Sequence, residues 1–167
     1  NYLLEKVSSR KQLKKEEEEE YKKVIDRVES ICKTAYDTNM CVMIDAEESW
    51  IQGAIDSMAE KMSEKYNTQK TVVYNTVQMY RHDRFDYMKT QIKIALDKNL
   101  FCGYKIVRGA YMEKERDKAE KMKYPSPIHK TKADTDKDYD LALDFCLQHF
   151  PKVSFFAGTH NEESSLY

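Results

Sequence analysis

YKIVRGAY, at residues 104–111, is the most informative stretch of the chain. Residues 104–107 form a short, mostly apolar run of the kind that a strand in a sheet uses, and Arg108 and Tyr111 follow at its carboxyl end. Three other apolar runs along the chain end in polar side chains in the same way. They are residues 41–48 with Asp45 near the end, 71–78 with Gln78 at the end, and 153–157 followed by Thr159 and His160.

The segments between these strands have apolar residues at three- and four-residue spacing, which is typical of helices with one buried face. Strand and helix therefore alternate in the order α-β-α-β-α-β-α-α-β, which predicts a parallel α/β fold. Runs such as 41–48 do not alternate polar and apolar residues, as expected for strands covered on both faces. A (βα)8 barrel and a doubly wound sheet both fit this order. Polar residues at every strand end favour the barrel, whose strand ends converge on one mouth.

Length and composition place further limits on the protein. A chain of 167 residues with 41% hydrophobic content is sufficient for one domain with a core. The formal net charge of −1 makes nucleic acid an unexpected partner. Four widely separated cysteines form no CxxC pair, so we expect free thiols and no metal site. An apolar run approaching ~18 residues is absent, so no segment is expected to span a membrane.

The first 20 residues are set apart by their charge. KKEEEEE at residues 14–20 is typical of a solvated helix start or a mobile segment. We therefore predict a charged N-terminal segment over residues 1–20, helical or mobile, and a partial barrel domain over residues 21–167.

Each polar strand end has a structural and a functional interpretation. Asp45 needs a cationic partner at partial burial, and Lys105 and Arg108 are the candidates. Such a pair could stabilise the strand ends alone or belong to an active site. Gln78 offers an amide, and residues 109–110 offer a closely approachable backbone, which together suit the edge of a flat heterocycle.

His160 lies between two other hydrogen-bonding residues, Thr159 and Asn161. It could contact a cofactor or act as a base, while its neighbours could cap the next helix. A metal role is weaker, because no second His or Cys lies at ligand spacing. Residues 134–145 superficially resemble a calcium loop but lack its glycine and its final glutamate. GxGxxG and Walker sequences are absent, so a bound dinucleotide would not use a Rossmann fingerprint.

Five segments in register resemble the proline dehydrogenase family: MIDAEE, VYNTVQMY, YKIVRGAYMEKER, YPSPIHKTKADTDKDYD and FFAGTHNEES. The resemblance implies a (βα)8 barrel with FAD held non-covalently at the mouth. It also implies oxidation of L-proline to Δ1-pyrroline-5-carboxylate, with electrons passed to a membrane quinone. Composition and spacing alone predict only a parallel α/β domain with a polar mouth.

The resemblance also assigns roles to individual residues. Asp45 matches the family's active-site aspartate, and Lys105 matches the basic residue near flavin N5. Tyr111 resembles the tyrosine that packs on proline. The remaining matches are FAD contacts: Ala46, Gln78, Arg108, Gly109, Ala110, Thr159 and His160.

The chain departs from the family pattern in two respects. Many bacterial members have arginine in place of Lys105, and lysine provides a point charge instead of a planar fork. The family's RRxxE sequence, which binds the proline carboxylate, and its first barrel strand have no counterpart here. Four strands cannot close an eight-stranded barrel, so we expect self-association or completion by another chain. The resemblance is compatible with a cytoplasmic protein at the inner membrane face in bacteria, or with a mitochondrial protein in eukaryotes.

Overall fold

The computed structural model describes residues 2–166. Seven helices and four strands occur within that range. The helices are α1 (Tyr2–Ser8), α2 (Lys15–Asp37), α3 (Ser49–Tyr66), α4 (Arg84–Asp97), α5 (Met112–Met122), α6 (Lys132–Gln148) and α7 (Glu162–Leu166), and the strands are β1 (Val42–Ile44), β2 (Val73–Gln78), β3 (Cys102–Val107) and β4 (Val153–Gly158).

The four strands form one parallel sheet in the order β1-β2-β3-β4. A doubly wound sheet would reverse its strand order at a switch point, whereas a barrel keeps consecutive strands adjacent. The observed order therefore supports the barrel over the doubly wound alternative. The predicted α/β fold class is confirmed, as a four-stranded part of a (βα)8-like barrel.

The core lies between the sheet and the helices that cover its outer face. Strand residues with side chains on this face are buried, including Val77 on β2 and both Tyr104 and Ile106 on β3. They pack against Met88 of α4 and Tyr139 of α6. A second cluster joins β1 and β2 to α2 and α3. The apolar faces of the helices thus account for the predicted three- and four-residue spacing.

The opposite, inner face of the sheet is partly open. We expected the first strand to be covered on both faces, and this is wrong for β1, where Met43 is exposed. Phe156 of β4 is also exposed, with its ring centroid 5.1 Å from that of Tyr74. The reason is geometric: β1 and β4 are the two edges of a four-stranded sheet, and no described strand lies opposite their inner face.

The N-terminal residues pack onto the remainder of the chain. The Ser8 hydroxyl accepts a hydrogen bond from the Ala54 backbone N–H at 2.9 Å, which fixes α1 against α3. Lys6 pairs with Glu17 at 2.6 Å and joins α1 to the first turn of α2. Helix α2 begins at Lys15, inside the charged run KKEEEEE.

A buried ion pair joins α3 to α4 behind the sheet. Arg84 donates two hydrogen bonds of 2.8 Å to the carboxylate of Asp56, and both side chains are at least nine-tenths buried. Gln52 and Asn75 each donate to the same carboxylate at 3.0 Å. Because burying charge is costly, such a pair persists only when its hydrogen-bonding groups are satisfied in this way.

Candidate functional site at the carboxyl ends of the strands

One row of side chains crosses the inner face of the sheet near its carboxyl edge. The strand register places Thr76 opposite Lys105, and both contact Asp45, which directly follows β1. Lys105 Nζ donates to Asp45 Oδ1 at 2.7 Å, and the Thr76 hydroxyl donates to the same oxygen at 3.3 Å. Asp45 is 64% exposed instead of partly buried as expected, because it lies at the edge of the sheet.

The second predicted partner of Asp45 is incorrect. Arg108 does not reach Asp45 but pairs with Asp136 of α6 at 2.6 Å. Its other two nitrogens donate to the hydroxyls of Thr159 at 2.5 Å and Ser164 at 2.9 Å. The guanidinium also stacks on the Tyr139 ring at 4.2 Å. Arg108 therefore holds the loop after β4 against α6.

The charge balance at Asp136 follows from this arrangement. Partial desolvation tends to raise the pKa of its carboxyl group. Hydrogen bonds from Lys132 and Arg108 outweigh that effect, and the pKa of Asp136 lies below its ordinary value. Asp136 therefore stays ionised near neutral pH and keeps Arg108 in place.

A second group of contacts lies where β1 leads into α3. The amide of Gln78 donates to the Glu47 carbonyl oxygen at 2.7 Å. The Tyr111 hydroxyl donates to the Glu47 carboxylate at 2.7 Å. This hydrogen bond to a negative charge raises the pKa of Tyr111 to about 12. The glutamine and the tyrosine that the sequence singled out are thus bridged by Glu47.

The residues after β4 combine capping with an open side chain. Thr159 Oγ1 accepts from the Asn161 backbone N–H at 2.9 Å, and Asn161 Oδ1 accepts from the Ser164 N–H at 3.1 Å. Asn161 thus caps α7, as one of the two interpretations of this segment predicted. His160 is exposed at the cleft.

These groups surround one cleft of about 610 Å³ on the inner side of the sheet. The volume lies within the range of roughly 300–1,000 Å³ typical of ligand sites. All ten residues that the sequence singled out line it. They are Asp45, Ala46, Gln78, Lys105, Arg108, Gly109, Ala110, Tyr111, Thr159 and His160.

The sequence analysis assigned no site role to Glu47, Thr76 and Lys132, which also line the cleft. Glu47 could have been given a role, because it lies two residues from Asp45 at the same polar strand end. Thr76 shares its face of β2 with Gln78 at period-two spacing. Lys132 is the first residue of α6 and does not follow a strand. Its position in the sequence therefore gave no sign that it lies near the cleft.

Gly109 has a backbone conformation that other residues rarely adopt. Its φ is +134°, and a Cβ atom at this position would lie 2.4 Å from the buried ring of Tyr80. The turn after β3 can therefore approach Tyr80 closely only with glycine at this position.

We predict that Gly109→Ala lowers the free energy of unfolding by about 1–3 kcal/mol, because the backbone is strained and the methyl group collides with Tyr80. Chemical denaturation followed by circular dichroism measures this change. Gly53→Ala is the matched control, since a Cβ there meets Ser8 atoms no closer than 3.4 Å. In the interior of α3 it should be neutral or stabilise by about 0.5–1 kcal/mol. Equal effects of the two substitutions would contradict the prediction.

Within residues 2–166 no cluster of three or more His, Cys, Asp or Glu side chains could hold a metal ion. Over the same residues, none of the helices has the length and apolar character needed to span a membrane.

The fold and the cleft together define a (βα)8-barrel type of domain, represented by four strands, with its site at their carboxyl ends. The family model for proline dehydrogenase matches residues 2–167. The chain belongs to the proline dehydrogenase family.

Individual relatives agree with this assignment. Proline dehydrogenase 1, mitochondrial, of Drosophila melanogaster is 34% identical over 163 residues, which are 92% of this chain and 24% of the relative. The human protein of the same name is 32% identical over 152 residues, 89% of this chain and 25% of the relative. Proline utilization A (PutA) from Bdellovibrio bacteriovorus, inactivated by N-propargylglycine, superposes with a TM-score of 0.81 at 21% identity. That match covers 89% of this chain and 16% of the PutA chain. The chain thus spans about a quarter of the two mitochondrial relatives.

Proposed function

We propose that the protein containing this chain oxidises L-proline to Δ1-pyrroline-5-carboxylate. FAD, when bound, supplies the hydride acceptor, and the electrons pass on to a quinone. The observation that carries the proposal is the convergence of all ten residues from the family motifs on one cleft. They come from four separate strand ends, and a chance resemblance would not require them to meet.

The chemistry of the cleft fits a flavin. Lys105 provides a cation that would stabilise an electron-rich reduced ring, and Asp45 holds that cation at 2.7 Å. The amide of Gln78 is fixed by Glu47, so it is oriented before any ligand arrives. The residues proposed to hold FAD are Ala46, Gln78, Arg108, Gly109, Ala110, Thr159 and His160.

The contacts of Arg108 suggest a structural role within this set. All three of its guanidinium nitrogens bond to protein groups. We therefore propose that Arg108 mainly shapes the wall of the cofactor site by holding Thr159, while its charge still acts on the cleft. L-proline is proposed to pack against Tyr111, whose phenol ring would exclude longer amino acids.

A catalytically incomplete family member is the second candidate function. Met43 and Phe156 are exposed on the inner face of the sheet, where a closed barrel would cover them, so the four described strands do not form a closed barrel by themselves. RRxxE, the proline-carboxylate sequence, is also absent from these 167 residues. We propose residues 21–167 as a partial barrel domain that is completed by another chain or by association with another copy.

The relatives and the proposed electron acceptor also suggest where the complete enzyme is located. Both named relatives are described as mitochondrial, and a quinone acceptor would place the complete enzyme next to a membrane. We propose a peripheral contact at a mitochondrial membrane, or at the inner face of the bacterial membrane.

Flavin absorption of the purified protein tests the proposal. After incubation with FAD and gel filtration, the near-ultraviolet and visible bands of bound flavin should remain with the protein. L-proline added without oxygen should bleach them, and D-proline should not. Bound flavin that never bleaches would favour the incomplete family member, and failure to retain flavin would refute the cofactor site on this chain.

A further inference from the structure

We infer that Glu47 is a positioning residue that holds Tyr111 and Gln78 in one fixed arrangement. Glu47 thereby couples the substrate side of the cleft, which contains Tyr111, to the cofactor side, which contains Gln78. This inference rests on the proposed function for the two sides. The positioning itself is a property of this chain and can be measured without any ligand.

Glu47 uses its carbonyl oxygen and its side chain for different partners. The carbonyl oxygen accepts from the Gln78 amide, and the carboxylate accepts from the Tyr111 hydroxyl, each at 2.7 Å. Within residues 2–166, Glu47 is the sole hydrogen-bond partner of the Tyr111 phenol. The directions of both side chains therefore depend on where Glu47 lies.

Glu47 itself is anchored from the far side of the sheet. Its backbone N–H donates to Gln52 Oε1 at 3.2 Å, and Gln52 Nε2 donates to Asp56 at 3.0 Å. Gln52 is 2% exposed, and Asp56 belongs to the buried ion pair with Arg84. A chain of hydrogen bonds thus links the rigid core between α3 and α4 to the cleft.

Charge explains why a carboxylate suits this position. A hydrogen bond from a neutral phenol to a carboxylate is charge-assisted and stronger than a bond between neutral groups. The same bond raises the pKa of Tyr111 to about 12, so the phenol remains a hydrogen-bond donor to a higher pH than an ordinary tyrosine. An alanine at position 47 would keep the backbone carbonyl for Gln78 but release Tyr111.

The first test is the pKa of the Tyr111 phenol, measured by NMR on protein with carbon-13-labelled tyrosine, with Tyr111→Phe assigning the signal. In Glu47→Ala the pKa should fall from about 12 towards the ordinary tyrosine value of about 10. Glu47→Gln, which keeps an acceptor without the charge, should lie between. Glu113→Gln is the matched control, an exposed glutamate on α5 without a hydrogen bond to Tyr111. An unchanged Tyr111 pKa in Glu47→Ala would overturn the inference.

The second test uses the flavin-loaded full-length protein. Glu47→Ala should raise the KM for L-proline about 10-fold, with a smaller change in kcat, because loss of a charge-assisted bond weakens ring binding in ground and transition states alike. Glu47→Gln should recover part of the loss. A lowered Tm with unchanged KM would show a purely structural role and overturn the inference that Glu47 positions Tyr111. A wild-type protein that L-proline never reduces would instead refute the proposed function, independently of the Tyr111 pKa.

Discussion

Replacing Arg84 with methionine will lower the free energy of unfolding by about 3–5 kcal/mol, the range found when one partner of a buried ion pair is removed. Arg84 donates two hydrogen bonds of 2.8 Å to Asp56, and its guanidinium stacks on the Tyr87 ring at 4.0 Å. Methionine fills similar space but leaves the Asp56 carboxylate buried without a counter-charge. Urea denaturation followed by circular dichroism measures the change.

Two further variants make this test specific. Arg84→Lys keeps the positive charge but loses the planar fork, so its loss of stability should be intermediate. Lys22→Met removes an ion pair with Asp26 in which both side chains are more than half exposed, and it should leave the denaturation midpoint nearly unchanged. A loss for Arg84→Met no larger than that for Lys22→Met would contradict the prediction.

Most elements of the fold could be predicted because each has a strong local signal. The polar segment at residues 112–122 predicts a helix between the strand at residues 104–107 and the Pro-containing segment that follows, and α5 spans Met112–Met122. The β4 strand was predicted over residues 153–157 and ends one residue later, at Gly158. In both cases a run of suitable residues is bounded by glycine, proline or a change of period, and these signals lie within a few residues of the element.

The strand β1 was predicted less well. Residues 41–48 read as one apolar run followed by carboxylates, but only Val42–Ile44 pair with β2. The run looks like a fully covered strand because its residues would be covered on both faces in a closed barrel. Its actual exposure depends on neighbours that lie outside this sheet, and no local pattern contains that information.

In the candidate site, too, contacts between neighbouring strand ends could be predicted, whereas contacts with distant segments could not. Of the two predicted partners of Asp45, Lys105 is the correct one, since adjacent parallel strands bring their ends together. Arg108 was assigned the wrong partner, because Asp136 lies 28 residues further along, in a run of several aspartates. Only the approach of α6 to β3 selects one of them. The role of Glu47 could not be predicted, because two of its three hydrogen bonds use backbone atoms.

Asp45→Ala should reduce turnover of L-proline by about 10²–10³-fold, the range found when one preorganised electrostatic group is removed from an active site. Asp45 fixes the Lys105 ammonium at 2.7 Å, and the proposed function places that cation beside the flavin. Stability should change little, because Asp45 is 64% exposed and exposed ion pairs contribute little to folding. Steady-state kinetics of the flavin-loaded full-length protein and its Tm measure the two effects.

The charge and the position of the carboxylate are separated by two companion variants. Asp45→Asn keeps an oxygen that can accept from Lys105 and Thr76 but loses the charge, so it should retain more activity than Asp45→Ala. Asp86→Ala is the matched control, because it removes another exposed ion pair, between Asp86 and Lys89 of α4. Neither residue lines the cleft, so turnover should be unchanged. Normal turnover in Asp45→Ala together with a lowered Tm would show that Asp45 only stabilises the strand ends. Lys105 would then be the one remaining catalytic residue of the proposal.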